Sequence, residues 1–224
     1  MNWKINVKDL KITKKQMTLW MSGILVAVIA LMIFIVKAEP PAEGISRAEA
    51  AKAMALIFED PGNLENMAAD REISAFTDKE KGNWFVKYMD YLYEKGYLDT
   101  EITPATLTSA QGNLTYADVN TVAEKLSSGL EKQVGMTRGN KKKTFSRNDW
   151  WELYKAIVKE TDKDGNMKEV SAVLFGTPSN MEQAESWTAY TTEGTFGFQG
   201  LALDEYLDCE IRFWARGQEM AGMT

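Results

Sequence analysis

Residues 17–36, MTLWMSGILVAVIALMIFIV, carry no charged side chain, and only Thr18 and Ser22 are polar. At about 1.5 Å of rise per residue, a helix of that length spans about 30 Å, the thickness of a bilayer's hydrocarbon core. Such a helix also satisfies every backbone N–H and C=O internally, as a lipid environment demands. The stretch therefore predicts one transmembrane helix over 17–36. Lys4, Lys8, Lys11, Lys14 and Lys15 precede it against Asp9 alone, a balance of +4. Lysine-rich short flanks stay on the cytoplasmic side. The expectation is a single-pass protein of the cell membrane, with a cytoplasmic tail at 1–16 and an extracytoplasmic C-terminal part. A signal peptide cut after Ala38 is the competing reading, but its apolar core usually runs about 7–15 residues.

Charge and composition narrow the function classes. From Ala38 onward the chain carries 20 Lys+Arg against 31 Asp+Glu, a net charge of −11. That acidity disfavours nucleic acid, whose phosphates need neutralising cations. There is no histidine, which removes histidine-based acid–base catalysis, the Ser-His-Asp triad and histidine metal sites. Cys209 is the one cysteine, so no disulfide forms within the chain. Apolar residues make up 45% of the sequence, and seven are tryptophan, which argues for folded material.

After a proline-containing linker at 37–44, one helix-start signal recurs three times. Ile45-Ser46-Arg47-Ala48-Glu49 places a serine at the N-cap and a glutamate three residues on, a capping box. Leu114-Thr115-Tyr116-Ala117-Asp118 and Phe145-Ser146-Arg147-Asn148-Asp149 have the same form with aspartate as the acid. Each cap is preceded by an apolar residue and followed by one four positions later, which suggests a repeated helical unit. Amphipathic spacing carries each helix onward, through Met54 and Ile57, Val122 and Leu126, and Leu153 and Ile157. A further helix is expected from Asn83 to about Lys95, closed by Gly96. Residues 99–113 and 135–144 read as loops, the second basic through Arg138, Lys141, Lys142 and Lys143.

From Lys168 the pattern is that of strands. Val170 to Phe175 is β-prone, residues 187–199 read as a hairpin turning at Gly194, and Leu203 to Trp214 ends as a strand. The expected fold is α+β: a transmembrane helix, an α-helical module at 45–161, and a small antiparallel β module at 168–224. The abrupt end after the last strand is expected either of an edge strand or of a fragment of a longer protein.

Ile45-Ser46-Arg47-Ala48-Glu49-Ala50, Phe76-Thr77-Asp78, Trp84, Tyr88 and Gly96-Tyr97-Leu98 resemble an S-layer homology repeat. The likeness covers residues 45–99 and extends loosely to about 160; Thr115-Tyr116-Ala117 lacks the arginine of the opening motif. The resemblance implies a module that binds anionic cell-wall polysaccharide, with Arg47 as the first binding candidate, Trp84 beside it and Arg147 as a second copy. Gly176-Thr177, Trp187, Thr192 to Phe198 and Gly200-Leu201 are similar to the non-catalytic N-terminal part of clostridial stage II sporulation protein D (amidase-enhancer type) proteins. That implies an accessory region of a peptidoglycan-acting enzyme whose catalytic domain lies outside this chain.

Other motifs are weaker. Glu160, Asp162 and Asp164 before Gly165 have calcium-loop spacing, but the twelfth position is Ser171. Lys141 to Lys143 suit an anionic polymer or headgroup and equally a solvated loop. Asp204/Glu205 and Asp208/Glu210 are neighbouring acids without a glycosidase pattern. The reading is therefore a non-enzymatic, membrane-anchored envelope protein that needs no cofactor and no metal. Through its helical module it binds wall polymer (cell-wall polysaccharide or peptidoglycan) or an envelope protein.

Overall fold

The computed structural model describes residues 44–70, 74–77, 79–127 and 129–224. Two expectations are corrected. Among the described residues no helix is long and apolar enough to cross a membrane. The longest, Arg147–Thr161, has 15 residues and buries one face against other helices, where a span needs about 20 apolar ones. The segment 17–36 lies outside the described residues, so neither the transmembrane element of the expected fold nor the single-pass localisation has support. The second correction concerns the β part, which is a closed barrel containing one parallel contact.

Seven α-helices are found among the described residues. They are α1 Arg47–Phe58, α2 Pro61–Asp70, α3 Val86–Glu94, α4 Leu107–Gln111, α5 Tyr116–Leu126, α6 Leu130–Val134 and α7 Arg147–Thr161. The three capped starts form as their sequences dictate. The Ser46, Thr115 and Ser146 side chains accept from the backbone N–H of Glu49, Asp118 and Asp149. Pro61, which ends the first helical pattern, opens the next helix at the position where a missing N–H costs nothing. Gly96, at φ +72, turns the chain after α3 so that the Tyr97 N–H donates to Leu92 O at 2.8 Å. Tyr97 then stacks on Phe58, with ring centroids 4.7 Å apart.

The barrel strands are β1 Met167–Gly176, β2 Thr188–Thr191, β3 Gly194–Gly197, β4 Glu210–Arg216 and β5 Glu219–Met223. They close in the order β1-β2-β3-β5-β4, antiparallel except where Gly197 meets Glu219. Leu174, Ala189, Phe196, Ile211, Phe213 and Met220 fill the interior. Asp162, one of the calcium-loop candidates, instead accepts from the backbone N–H of Asn166 and Met167 and so shapes the helix-to-strand turn.

Residues 43–224 form one compact unit. Alanine-rich α1 is its central element: eight apolar residues from Ala48 to Ile57 are buried. Small side chains let neighbouring helices approach, and the Tyr154 hydroxyl of α7 donates to Ala53 O at 3.1 Å. Two tryptophans key the helices to the barrel at glycines. A Cβ on Gly222 would overlap the Trp151 ring, and one on Gly200 the Trp84 ring. Polar ties reinforce this seam. Arg216 donates to the carbonyls of Leu56 and Ile57 at the end of α1. Lys52, only 1% exposed, donates to Gln199 O at 2.9 Å and pairs with Glu219 at 2.5 Å. Burial lowers the Lys52 pKa, and the Glu219 carboxylate partly restores it.

Candidate functional site

The three caps are brought together. The Leu114 N–H donates to Ile45 O and the Phe145 N–H to Leu114 O, both at 2.8 Å, and Gly44 bridges Ser146 to complete a ring. Equivalent atoms repeat around it. The Arg47 N–H reaches Gly112 O and the Tyr116 N–H reaches Lys143 O, in each case from one residue past a cap to three before the next. The sequence repeat is thus a pseudo-threefold arrangement of helix starts, with Ile45, Leu114 and Phe145 buried at its centre.

This symmetry decides what the arginines do. Arg47 Nε donates to Asp118 Oδ2 at 2.9 Å, and its Nη1 reaches Ser109 O at 3.3 Å. Asp118 is 2% exposed and also accepts from Thr103 and from the Thr115 backbone and hydroxyl. Arg147 Nη2 donates to Glu49 Oε1 at 3.1 Å. Each arginine therefore ties the start of its own helix to the capping acid of the next repeat around the ring. Each guanidinium named as a binding candidate is an inter-repeat staple.

Trp84 lies elsewhere. Its ring is half-buried, packs against Gly200 and meets Phe85 and Tyr88 edge-on. It lines a cleft of about 280 Å³ with Lys87, Asn83 and Gln199, and neither arginine takes part in that cleft.

At the third junction the staple is missing. Tyr116 occupies the arginine's position and Asp149 is the acid. The Tyr116 ring instead packs edge-on against Phe145, with centroids 4.9 Å apart. A cleft of about 520 Å³ opens there, lined by Tyr116, Gln133, Gly135, Asp149, Glu152 and Leu153 among others. Asp149 and Glu152 are exposed. Asp149 Oδ2 accepts from Ser146 Oγ at 2.7 Å, and Glu152 Oε1 accepts from Lys155 Nζ at 3.1 Å.

The basic loop begins at the cleft, which Gly135 lines, while its cations lie outside the lining. Gly135, in the left-handed region at φ +62, ends α6 and starts this loop. The Asn140 side chain braces it by accepting from the Thr137 N–H and donating to Gly135 O. Lys141 O and Lys143 O accept from the N–H groups of Ala117 and Tyr116, fixing the loop over the start of α5. Arg138, Lys141, Lys142 and Lys143 are exposed, and none pairs with a described carboxylate. Planar carboxylate and amide groups beside an aromatic ring suit a hydroxylated ligand. Among the described residues no group of acids and cysteine is arranged to hold a metal ion. The absence of arginine after Thr115 is the one sequence signal that marks this junction; its meaning depends on the ring, which no local pattern reveals. No family model, no curated protein and no solved structure matches the chain.

Proposed function

We propose that the protein is a non-catalytic binding module for an anionic polysaccharide, of the kind found in cell walls, seated at the open third junction. The observation that carries this reading is the cleft itself. Two of three equivalent junctions are closed by arginine–carboxylate pairs, and the third leaves a cleft lined by Tyr116, Gln133, Asp149 and Glu152, next to the loop that carries four exposed cations. Carboxylates and amides accept and donate to sugar hydroxyls, and an aromatic ring offers an apolar face to a pyranose. The loop cations answer the polymer's charge locally, although the net charge from Ala38 onward is −11. The likeness of residues 45–99 to S-layer homology repeats supports the same ligand class, with the contact moved from Arg47 and Arg147 to the cleft.

The test is co-sedimentation of the full chain with purified bacterial cell walls. Binding is expected at low salt and weakens as salt rises, because exposed cation–anion contacts are screened. Glu152→Gln and a combined Lys141→Ala, Lys142→Ala, Lys143→Ala variant should each reduce it without changing the melting temperature. Folded protein that does not sediment, or variants that bind like the parent, would remove the proposal.

A further inference from the structure

The barrel carries a second surface with the opposite charge. Residues 177–210 contain seven acids (Glu182, Glu185, Glu193, Asp204, Glu205, Asp208 and Glu210) and no lysine or arginine. All seven are exposed. That region and the adjoining end of β1 hold most of the exposed large apolar side chains among the described residues: Phe175 at 49%, Trp187 at 45% and Tyr206 at 41%, with Val173 and Met181. Only Ile102 lies elsewhere.

Several of these groups are joined around the end of β1. Val173 and Phe175 alternate outward along β1. The Met181 sulfur lies over Gly176, where an added Cβ would collide with it, and that Cβ would also meet Tyr190 at 3.3 Å. Asn180 Nδ2 donates to Phe175 O at 3.2 Å, holding the Met181 loop against the strand. Asp204 accepts from the hydroxyls of Thr177 and Ser179 at 2.7 and 2.9 Å, which joins that loop to the 3-10 turn Asp204–Tyr206. The Asp208 N–H donates to Leu174 O at 2.7 Å, seating the far side of the turn on β1. Trp187, at the end of the loop, has φ +61, a left-handed backbone that tryptophan rarely adopts. That conformation leaves the indole exposed against the edge of Phe198.

We infer that this face docks a basic, apolar segment of a partner protein, with lysine or arginine on the acidic rim and apolar side chains on Phe175, Met181 and Trp187. Charge selects this occupant. Seven carboxylates repel a second copy of the same face, anionic lipid, nucleic acid and the anionic polymer proposed for the helical module. The barrel is closed, so the partner adds no strand and must be held by side chains. The inference does not depend on the polysaccharide reading, since it uses a different module and the opposite charge.

The test uses the full chain and fluorescent peptides in an anisotropy titration. A peptide of alternating lysine and leucine should bind saturably and weaken with salt. Phe175→Ser and Trp187→Gly should each lower its affinity by about tenfold, the loss typical of an apolar anchor. Glycine suits the φ of residue 187, so that variant keeps the loop. Ile102→Ser should leave binding unchanged. A benzophenone on Cys209, exposed between Asp208 and Glu210, should crosslink to the peptide. The inference is overturned if a lysine–serine peptide binds as tightly, if a glutamate–leucine peptide binds, or if Phe175→Ser and Trp187→Gly have no effect. Binding of anionic vesicles, or self-association lost in Phe175→Ser, would assign the face to lipid or to a second copy and overturn it equally.

Discussion

Arg147 Nη2 donates to Glu49 Oε1 at 3.1 Å across 98 residues of chain, repeating at one junction what Arg47 and Asp118 do at another. The two pairs differ in depth. Asp118 is 2% exposed, whereas the Arg147 and Glu49 side chains are 30% and 18% exposed. Removing Arg47 strands a buried carboxylate, so Arg47→Ala should cost about 3 kcal/mol. Arg147→Ala should cost about 1 kcal/mol or less, because its pair is partly solvated. Chemical denaturation of both variants checks the order, and equal midpoints would contradict the staple.

Each N-cap should contribute separately. Ser46→Ala and Ser146→Ala should each lower stability by about 1 kcal/mol. All three cap hydroxyls donate to their capping acid, but only Asp118 is buried, so Thr115→Ala should cost more than either serine change. Denaturant midpoints of the three variants give the comparison.

The glycine seats can be tested by a cycle. Gly222→Ala should destabilise by about 1–3 kcal/mol, because the new methyl overlaps the Trp151 ring. In a Trp151→Leu background the same change should cost much less. Additive costs would show that Trp151 does not depend on that close approach.

Lys52 and Glu219 should behave as one unit. Lys52→Met leaves the carboxylate facing a seam without its cation and should cost about 3 kcal/mol. Adding Glu219→Gln should recover part of the loss, measurable as a coupling free energy.

Alkaline unfolding should report the buried phenols. Burial raises the pKa of Tyr88, Tyr93 and Tyr154. In the unfolded chain these groups ionise near pH 10, while the folded chain keeps the protons. Their contribution is therefore complete below about pH 10 and is lost as pH rises through the higher folded values. Lys52 acts in the other sense, because its folded pKa is lowered and stability gains with pH up to about 10.5. Tyr154→Phe should flatten the decline above about pH 10 in a pH series of denaturation curves. It should cost about 1 kcal/mol at neutral pH through the lost bond to Ala53.

What was legible in the sequence is what local chemistry sets. Ser46, Thr115 and Ser146 marked three helix starts because capping involves only three or four neighbouring residues. Gly194 marked the hairpin for the same reason, with φ +125 after a two-residue turn. Helices α4 and α6 carry no such signal, because five residues are too few to show a period. Strand β5, Glu219–Met223, has three buried residues in succession, which alternation does not flag. The roles of Arg47 and Arg147 were not legible, because the acids they meet lie 71 and 98 residues away and are placed by the ring. The resemblance makes Trp84 a binding candidate, and only the barrel loop explains its contact with Gly200.

The most direct test of the central claim is to close the third junction. Tyr116→Arg should place a guanidinium opposite Asp149, as Arg47 and Arg147 are placed opposite Asp118 and Glu49. Affinity for purified cell walls and for soluble wall-polymer fragments, measured beside the melting temperature, gives the answer. The account predicts a melting temperature at least equal to the parent's and binding reduced by about tenfold or more. A folded Tyr116→Arg protein that binds as the parent does would show that the open cleft is not the seat of the ligand.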